Sequence, residues 1–186
     1  EVIEKAFRKT VPMYPELAVR ELIANALIHQ DLAITGSGPM IEIFQDRMEI
    51  TNPGAPLIAP ERFLDHPPRS RNEKLAALMR RFGICEERGS GIDKVVFEIE
   101  YFQLPAPLFE TIGGSTRAVL FAHQLLKQMD KASRIRACYL HACLRYVNNE
   151  VMSNASLRER FGVAEKNKAT VSRLIREAVD SGLISP

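Results

Sequence analysis

The sequence predicts an α+β protein in two parts, a mixed strand-and-helix domain over residues 1–126 and an all-helical unit over residues 127–186. Two observations carry this expectation. Short alternating apolar runs and helical patterns intermix up to Ala122, and helical patterns alone dominate after it. Charge divides at nearly the same place: residues 127–186 hold 11 Lys and Arg against 6 Asp and Glu, whereas residues 1–126 hold 14 against 17. A mildly acidic body joined to a basic unit points to the second part as the one that meets a polyanion. At 186 residues the chain has room for two small domains.

Taken in order, Pro12 and Pro15 set off a short leading segment from an apolar stretch, residues 16–30, that reads as a helix. Residues 41–44 and 48–50 alternate in polarity and are joined by Gln45, Asp46 and Arg47, which predicts a hairpin. Five prolines between residues 52 and 68 argue for a long loop with one helical turn near 61–64. Leu75, Leu78, Met79 and Phe82 recur at helical spacing, and Gly83 stops that helix. Residues 91–102 read as a further helix, although Val95, Val96 and Phe97 also suit a strand. Residues 108–112 and 117–122, parted by Gly113 and Gly114, form a second hairpin. Helices over 132–147, 155–161 and 168–181 follow, and Gly182, Leu183 and Ile184 read as the start of a strand.

Composition narrows the function classes. A hydrophobic fraction of 46% with 26% charged residues is that of a folded globular chain. No apolar run approaches the ~20 residues needed to cross a bilayer, so no membrane partner is expected. The first residues carry neither the basic start nor the apolar stretch of a secretory signal. Cys85, Cys138 and Cys143 cannot all pair and form no CxxC motif, which fits a reduced, cytoplasmic setting and argues against structural zinc. His141, Cys138 and Cys143 share the long helix, where packing is the expected role.

In the helix over 16–30 nearly every position is apolar, so it should be largely buried. Yet Glu21, Asn25 and His29 recur every four residues and form one polar stripe. Such a stripe is either a solvated helix edge or one side of a site. A buried carboxylate is too costly to leave unpaired, which favours a cleft, a ligand or dedicated partners. A carboxylate and an amide one turn apart can activate a water and offer a neutral oxygen to Mg²⁺, respectively.

The run from Arg20 to Asp31 resembles the N-box helix of the GHKL ATPases, the gyrase, Hsp90, histidine-kinase and mismatch-repair superfamily. It is similar, more closely, to the degenerate GHKL-like domain of bacterial RecG-related proteins, which are described as DNA helicases or transcriptional regulators. Asp46 to Gly54, Arg71-Asn72 and Glu86 to Ile92 extend the resemblance across roughly residues 16–122. Such relatives commonly carry an AlbA-like DNA-binding domain ahead of this part and a winged helix after it.

The resemblance implies a GHKL-like α/β sandwich that binds ATP with Mg²⁺. It makes Glu21 the general base and Asn25 the Mg²⁺ ligand, with His29 beside them in the cofactor site. Asn52 and Gly54 would sit where active members carry an Asp-x-Gly-x-Gly loop beneath the adenine. An amide both accepts and donates where a carboxylate only accepts, so weaker selection of the base is expected. Gly89, Ser90 and Gly91 would match the glycine loop that approaches the phosphates ahead of a helix. Prolines occupy the lid where glycines are usual, so any hydrolysis is expected to be weak. A helicase motor is excluded for this chain, because no GxxxxGKS or GxxxxGKT run exists in it.

In the basic part, Ser156 and Glu159 have capping-box spacing, with Asn154 as an alternative cap. Val171, Leu174, Ile175 and Ala178 form the inward side of the last helix. Arg173 and Arg176 lie away from that side, Lys166 and Lys168 flank its start, and Thr170 and Ser172 are short enough for close approach to a phosphate backbone. The pattern resembles a winged helix-turn-helix, in which the second helix of the motif enters the major groove of double-stranded DNA. The alternative is a three-helix interaction module with solvated arginines. The leading expectation is therefore a DNA-binding transcriptional regulator, monomer or homodimer, with an ATP-binding GHKL-like domain. The alternatives are a Mg²⁺-dependent ATP hydrolase and a vestigial protein-interaction module.

Overall fold

A computed structural model describes residues 2–4, 7–9, 13–67, 69–85 and 91–185. The chain runs β1 (Val2–Glu4), β2 (Phe7–Lys9), α1 (Glu16–His29), β3 (Met40–Ile43), β4 (Arg47–Pro53), α2 (Glu73–Arg81), α3 (Gly91–Tyr101), β5 (Leu108–Ile112) and β6 (Ser115–Phe121). It continues through α4 (Lys131–Val147), α5 (Asn154–Arg160) and α6 (Lys168–Asp180). The order is the expected α+β one, with β1 and β2 added as an antiparallel hairpin in the leading segment. Residues 91–102 settle as helix: Val95, Val96 and Ile99 are buried together at helical spacing, where a strand would bury alternate residues. The proline-rich loop holds one short 3-10 turn, Pro60–Arg62.

The sheet is antiparallel, in the order β3-β4-β6-β5. Its inner face carries Met48, Ile50 and Leu120, which pack on Ala18, Leu22 and Ala26 of α1 and on Val95 and Ile99 of α3. Its outer face carries an ion-pair ladder, in which Arg47 and Arg117 both donate to Glu49 and Arg117 also donates to Glu110. The inner face is mainly apolar apart from Asn52 and Thr116, and the outer face carries this charge beside buried Val119. Together the sheet and the helices on its inner face make a two-layer α/β sandwich.

Three helices close the chain. Cys138, Leu157, Val171, Leu174 and Ala178 form their shared core. Asp130 caps α4 by accepting from the Ser133 backbone N–H. The cap of α5 is Ser153, with Ser156 returning the bond, so neither Asn154 nor the Ser156–Glu159 pair is the cap. Asn154 instead donates to the Lys168 carbonyl and the Ser172 hydroxyl, tying α5 to the start of α6. The strand expected at residues 182–184 is not formed. Gly182 takes a left-handed φ of +74°, its N–H and that of Leu183 close the end of α6, and Ile184 folds back onto the helical core.

The two parts are joined by packing and by a buried polar network. Val96 and Ala106 pack on Ala137, Leu140 and Leu144 of α4. Glu100, on the last turn of α3, accepts from His141 Nδ1 at 2.8 Å and lies 3.5 Å from Arg160 of α5. Arg160 donates to the Leu104 carbonyl at 2.6 Å, and burial lowers the pKa of its guanidinium. Removing one member of a buried pair strands the other charge in the interior. Glu100→Ala should therefore destabilise the protein by about 3–5 kcal/mol in urea unfolding, with Glu100→Gln costing less.

Candidate functional site

A cavity of roughly 190 Å³ lies between α1, the inner face of the sheet, α2 and the proline-rich loop. Glu21, Asn25 and His29 all line it, so the stripe faces a cavity and not open solvent. Glu21 is 3% exposed, and its Oε1 is buried without a hydrogen-bond partner. Among the described residues, Arg20 Nη2 is a charge near that atom, 3.6 Å away. Gly91, the first residue of α3, closes in from the other side. A Cβ there would stand 3.0 Å from Glu21 Oε2 and 3.6 Å from Asn25 Nδ2, so a glycine lets α3 approach the stripe.

At the far end of the stripe the floor is the sheet. Asn52 and Thr116 face each other across β4 and β6 and both line the cavity. Asn52 Nδ2 donates to the Pro53 carbonyl at 3.3 Å, which orients the amide and leaves Oδ1 and the second N–H for other partners. Gly54 is not on the cavity wall. It stands behind the wall with φ +102°, where a Cβ would meet Asp31 Cβ at 2.9 Å, and its carbonyl accepts from the Thr116 hydroxyl. Its role is the close passage of the strand end past Asp31. Of the expected glycine loop, Gly91 is at the cavity, whereas Gly89 and Ser90 lie outside the described residues.

Sequence reasoning did not foresee what holds the stripe in place. The last turn of α1 leaves carbonyls without helical partners. Asn72 Nδ2 donates to Ile28 O and Gln30 O at 2.9 and 2.8 Å, and Arg71 Nε donates to His29 O at 3.0 Å. Arg71 also reaches Asp31 at 3.3 Å and the Ala55 carbonyl. Arg71-Asn72 therefore binds together α1, the end of β4 and the start of α2. Arg80 and Cys85 complete the wall near Glu21 and were likewise not singled out.

The residues expected to meet DNA are elsewhere. Lys166, Lys168, Thr170, Ser172, Arg173 and Arg176 are all exposed along the start and outer side of α6, opposite buried Val171 and Leu174. Ser172 is engaged with Asn154. His141 and Cys138 are core groups, and burial pushes the Cys138 thiol up to about 11.

Residues 36–120 match the family model described as "Putative ATP-dependent DNA helicase recG C-terminal", so this stretch is similar to a RecG-related, ATPase-like domain. The match begins after α1 and ends within β6. Among solved structures, the DIP2311 protein from Corynebacterium diphtheriae shares the fold, with a TM-score of 0.62 over 95% of this chain at 22% identity. The chain spans 38% of that protein's length. No curated protein matches the chain. No helix among the described residues is long and apolar enough to cross a membrane.

His29 offers a direct test of how closed the cavity is. Burial, and secondly the Arg71 charge, lowers its pKa from the ordinary 6.5. Between 6.5 and that lowered value the unfolded chain binds a proton that the folded chain does not, so stability must fall as pH falls through this window. Melting temperature followed from pH 7.5 down to pH 5 should drop more steeply for wild type than for His29→Gln.

Proposed function

We propose that the protein is a DNA-binding transcriptional regulator whose ATPase-like domain binds ATP together with Mg²⁺. The observation that carries the nucleotide part is Glu21, a buried carboxylate with a free oxygen on the wall of a cavity shared with Asn25 and Gly91. A buried carboxylate oxygen left without a hydrogen bond is a cost that a bound ligand with its waters and cation would relieve. The described residues contain no group of three or more His, Cys, Asp or Glu able to hold a metal. Mg²⁺ suits such a site when phosphate oxygens supply most of its ligands and Asn25 adds one neutral oxygen. When bound, the ATP–Mg²⁺ pair supplies a polarised phosphoanhydride. Glu21 then holds a water and accepts its proton, and Asn52 Oδ1 accepts from the amino group of adenine. Guanine presents an oxygen at that edge, which the second N–H of the same amide could still reach, so adenine is favoured only by a small margin.

Hydrolysis of the bound ATP is the second reading, favoured by the same free oxygen on Glu21. Raising ATP and Mg²⁺ to millimolar levels should raise the melting temperature, because ligand bound only by the native state adds RT ln(1 + [L]/Kd). GTP should shift it less. Glu21→Ala should abolish any turnover while leaving a melting shift with ATP, and no shift with any nucleotide would sink the reading.

Support for the DNA part comes from the packing of α5 on α6 across a seven-residue connection and from the exposed cationic side of α6. A basic second helix of this kind would enter the major groove, and a homodimer would match two half-sites. Replacing Arg173 and Arg176 with Ala should leave folding intact, since both are exposed. The double variant should bind duplex DNA more weakly by about 1–3 kcal/mol for each base-reading arginine, or show a shallower salt dependence for phosphate contacts. Equal affinity and equal salt slope would remove α6 from the interface.

A further inference from the structure

Among the described residues the cavity wall carries three arginines, Arg69, Arg71 and Arg80, and they are not equivalent. Arg71 is consumed by His29, Asp31 and Ala55. Arg69 is exposed at the rim, two residues before the Arg71 clamp. Arg80 is half-buried on the last turn of α2, and its guanidinium has no hydrogen-bond or ion-pair partner among the described residues.

The direction of α2 fixes where Arg80 stands. The helix begins at Asn72, bonded to Ile28 O and Gln30 O at the C-terminal end of α1. Ala76 and Met79 then pack with Ile28 and Ala24, so α2 runs back along α1. Just beyond its end, burial raises the pKa of the Cys85 thiol, which also feels two opposed charges, Arg80 lowering it and Glu21 raising it. Arg80 is thus at the Glu21 end of the cavity, eight residues and about 12 Å of helix from Asn72. Asn52 and Thr116 stand at the other end, beside the Asp31–Pro53 backbone bond.

We propose that Arg80 reads the terminal phosphates of the bound nucleotide, so that the site distinguishes a nucleoside triphosphate from a monophosphate. This inference rests on the nucleotide reading above. A base seated over Asn52 and Thr116 directs its ribose along the stripe, and only the phosphate chain covers the remaining distance to Arg80. Phosphate oxygens arriving there would face the Glu21 carboxylate, a like-charge encounter that a single Mg²⁺ leaves only partly neutralised. A planar guanidinium free of other partners supplies the missing charge and two parallel donors for phosphate.

The test is calorimetric titration of ATP, ADP, AMP and adenosine, at fixed Mg²⁺, into wild type, Arg80→Gln, Arg80→Lys and Arg69→Gln. Wild type should prefer ATP to AMP, and the preference should shrink as salt is raised. Arg80→Gln should bind ATP ~10–100-fold more weakly, the loss of one charged hydrogen-bonding group, with adenosine within twofold of wild type. Arg80→Lys should fall between, and Arg69→Gln should keep the wild-type ratio of ATP to AMP. An unchanged ATP affinity in Arg80→Gln, or an equal loss for adenosine and ATP, would overturn the assignment while leaving the nucleotide reading in place. If wild type binds all four ligands equally, Arg80 has no phosphate to read; if it binds none of them, the nucleotide reading fails as well.

Discussion

The clamp that Arg71 and Asn72 place on the end of α1 is the contact on which the site depends. Two adjacent side chains answer the carbonyls of Ile28, His29 and Gln30, which the helix cannot satisfy for itself. The same two residues fix the start of α2 and hold the end of β4 through Asp31 and Ala55. Three elements that are distant in sequence are thereby set around one space. Because the clamp grips the backbone of α1, it also fixes the rotation of that helix, and rotation decides whether the polar stripe meets the cavity or the core. Gly54 is the counterpart of the clamp, since any larger residue would push β4 off Asp31.

A second support comes from α3, whose two ends do different work. Its first residue touches the stripe at Glu21, and its last turn holds Glu100 against His141 and Arg160. The network at that far end is incompletely satisfied: Glu100 Oε1 and Arg160 Nε and Nη1 are buried without hydrogen bonds. An apolar junction would be at least as stable. What the ionic junction adds is register, because a guanidinium that must find Glu100 and the Leu104 carbonyl together tolerates few docking angles.

The legible parts of the sequence were those governed by local period. Glu21, Asn25 and His29 were readable as a stripe because helical geometry alone puts residues four apart on one side. The hairpins were readable from alternation, and α6 from the spacing of Val171, Leu174 and Ala178. Contacts across long sequence separations were not. Nothing local tells that Arg71 serves the carbonyl of His29, 42 residues earlier, or that Thr116 stands opposite Asn52. Gly182, Leu183 and Ile184 misled for a related reason. A glycine followed by two β-branched or large apolar residues looks like a strand start, yet a strand exists only with a partner. Here helix closure and a place in the helical core are what the apolar pair finds.

The docking of the helical unit also explains why one of its helices is left bare. Of its three helices, α4 and α5 carry the contacts to the first domain, through the Leu140–Val96 cluster, His141 and Arg160. Gln103 adds a bond from the first domain to the Glu159 carbonyl, the residue next to Arg160. The helix α6 packs on its two neighbours through Val171, Leu174 and Ala178, so its opposite side has nothing left to cover. Arg160 and Arg173 are both arginines of a basic unit, but the fold gives them opposite tasks. The first is buried at the junction, where its charge costs stability and secures an angle. The second stays in water, where its charge costs almost nothing and is free for a phosphate or a base edge.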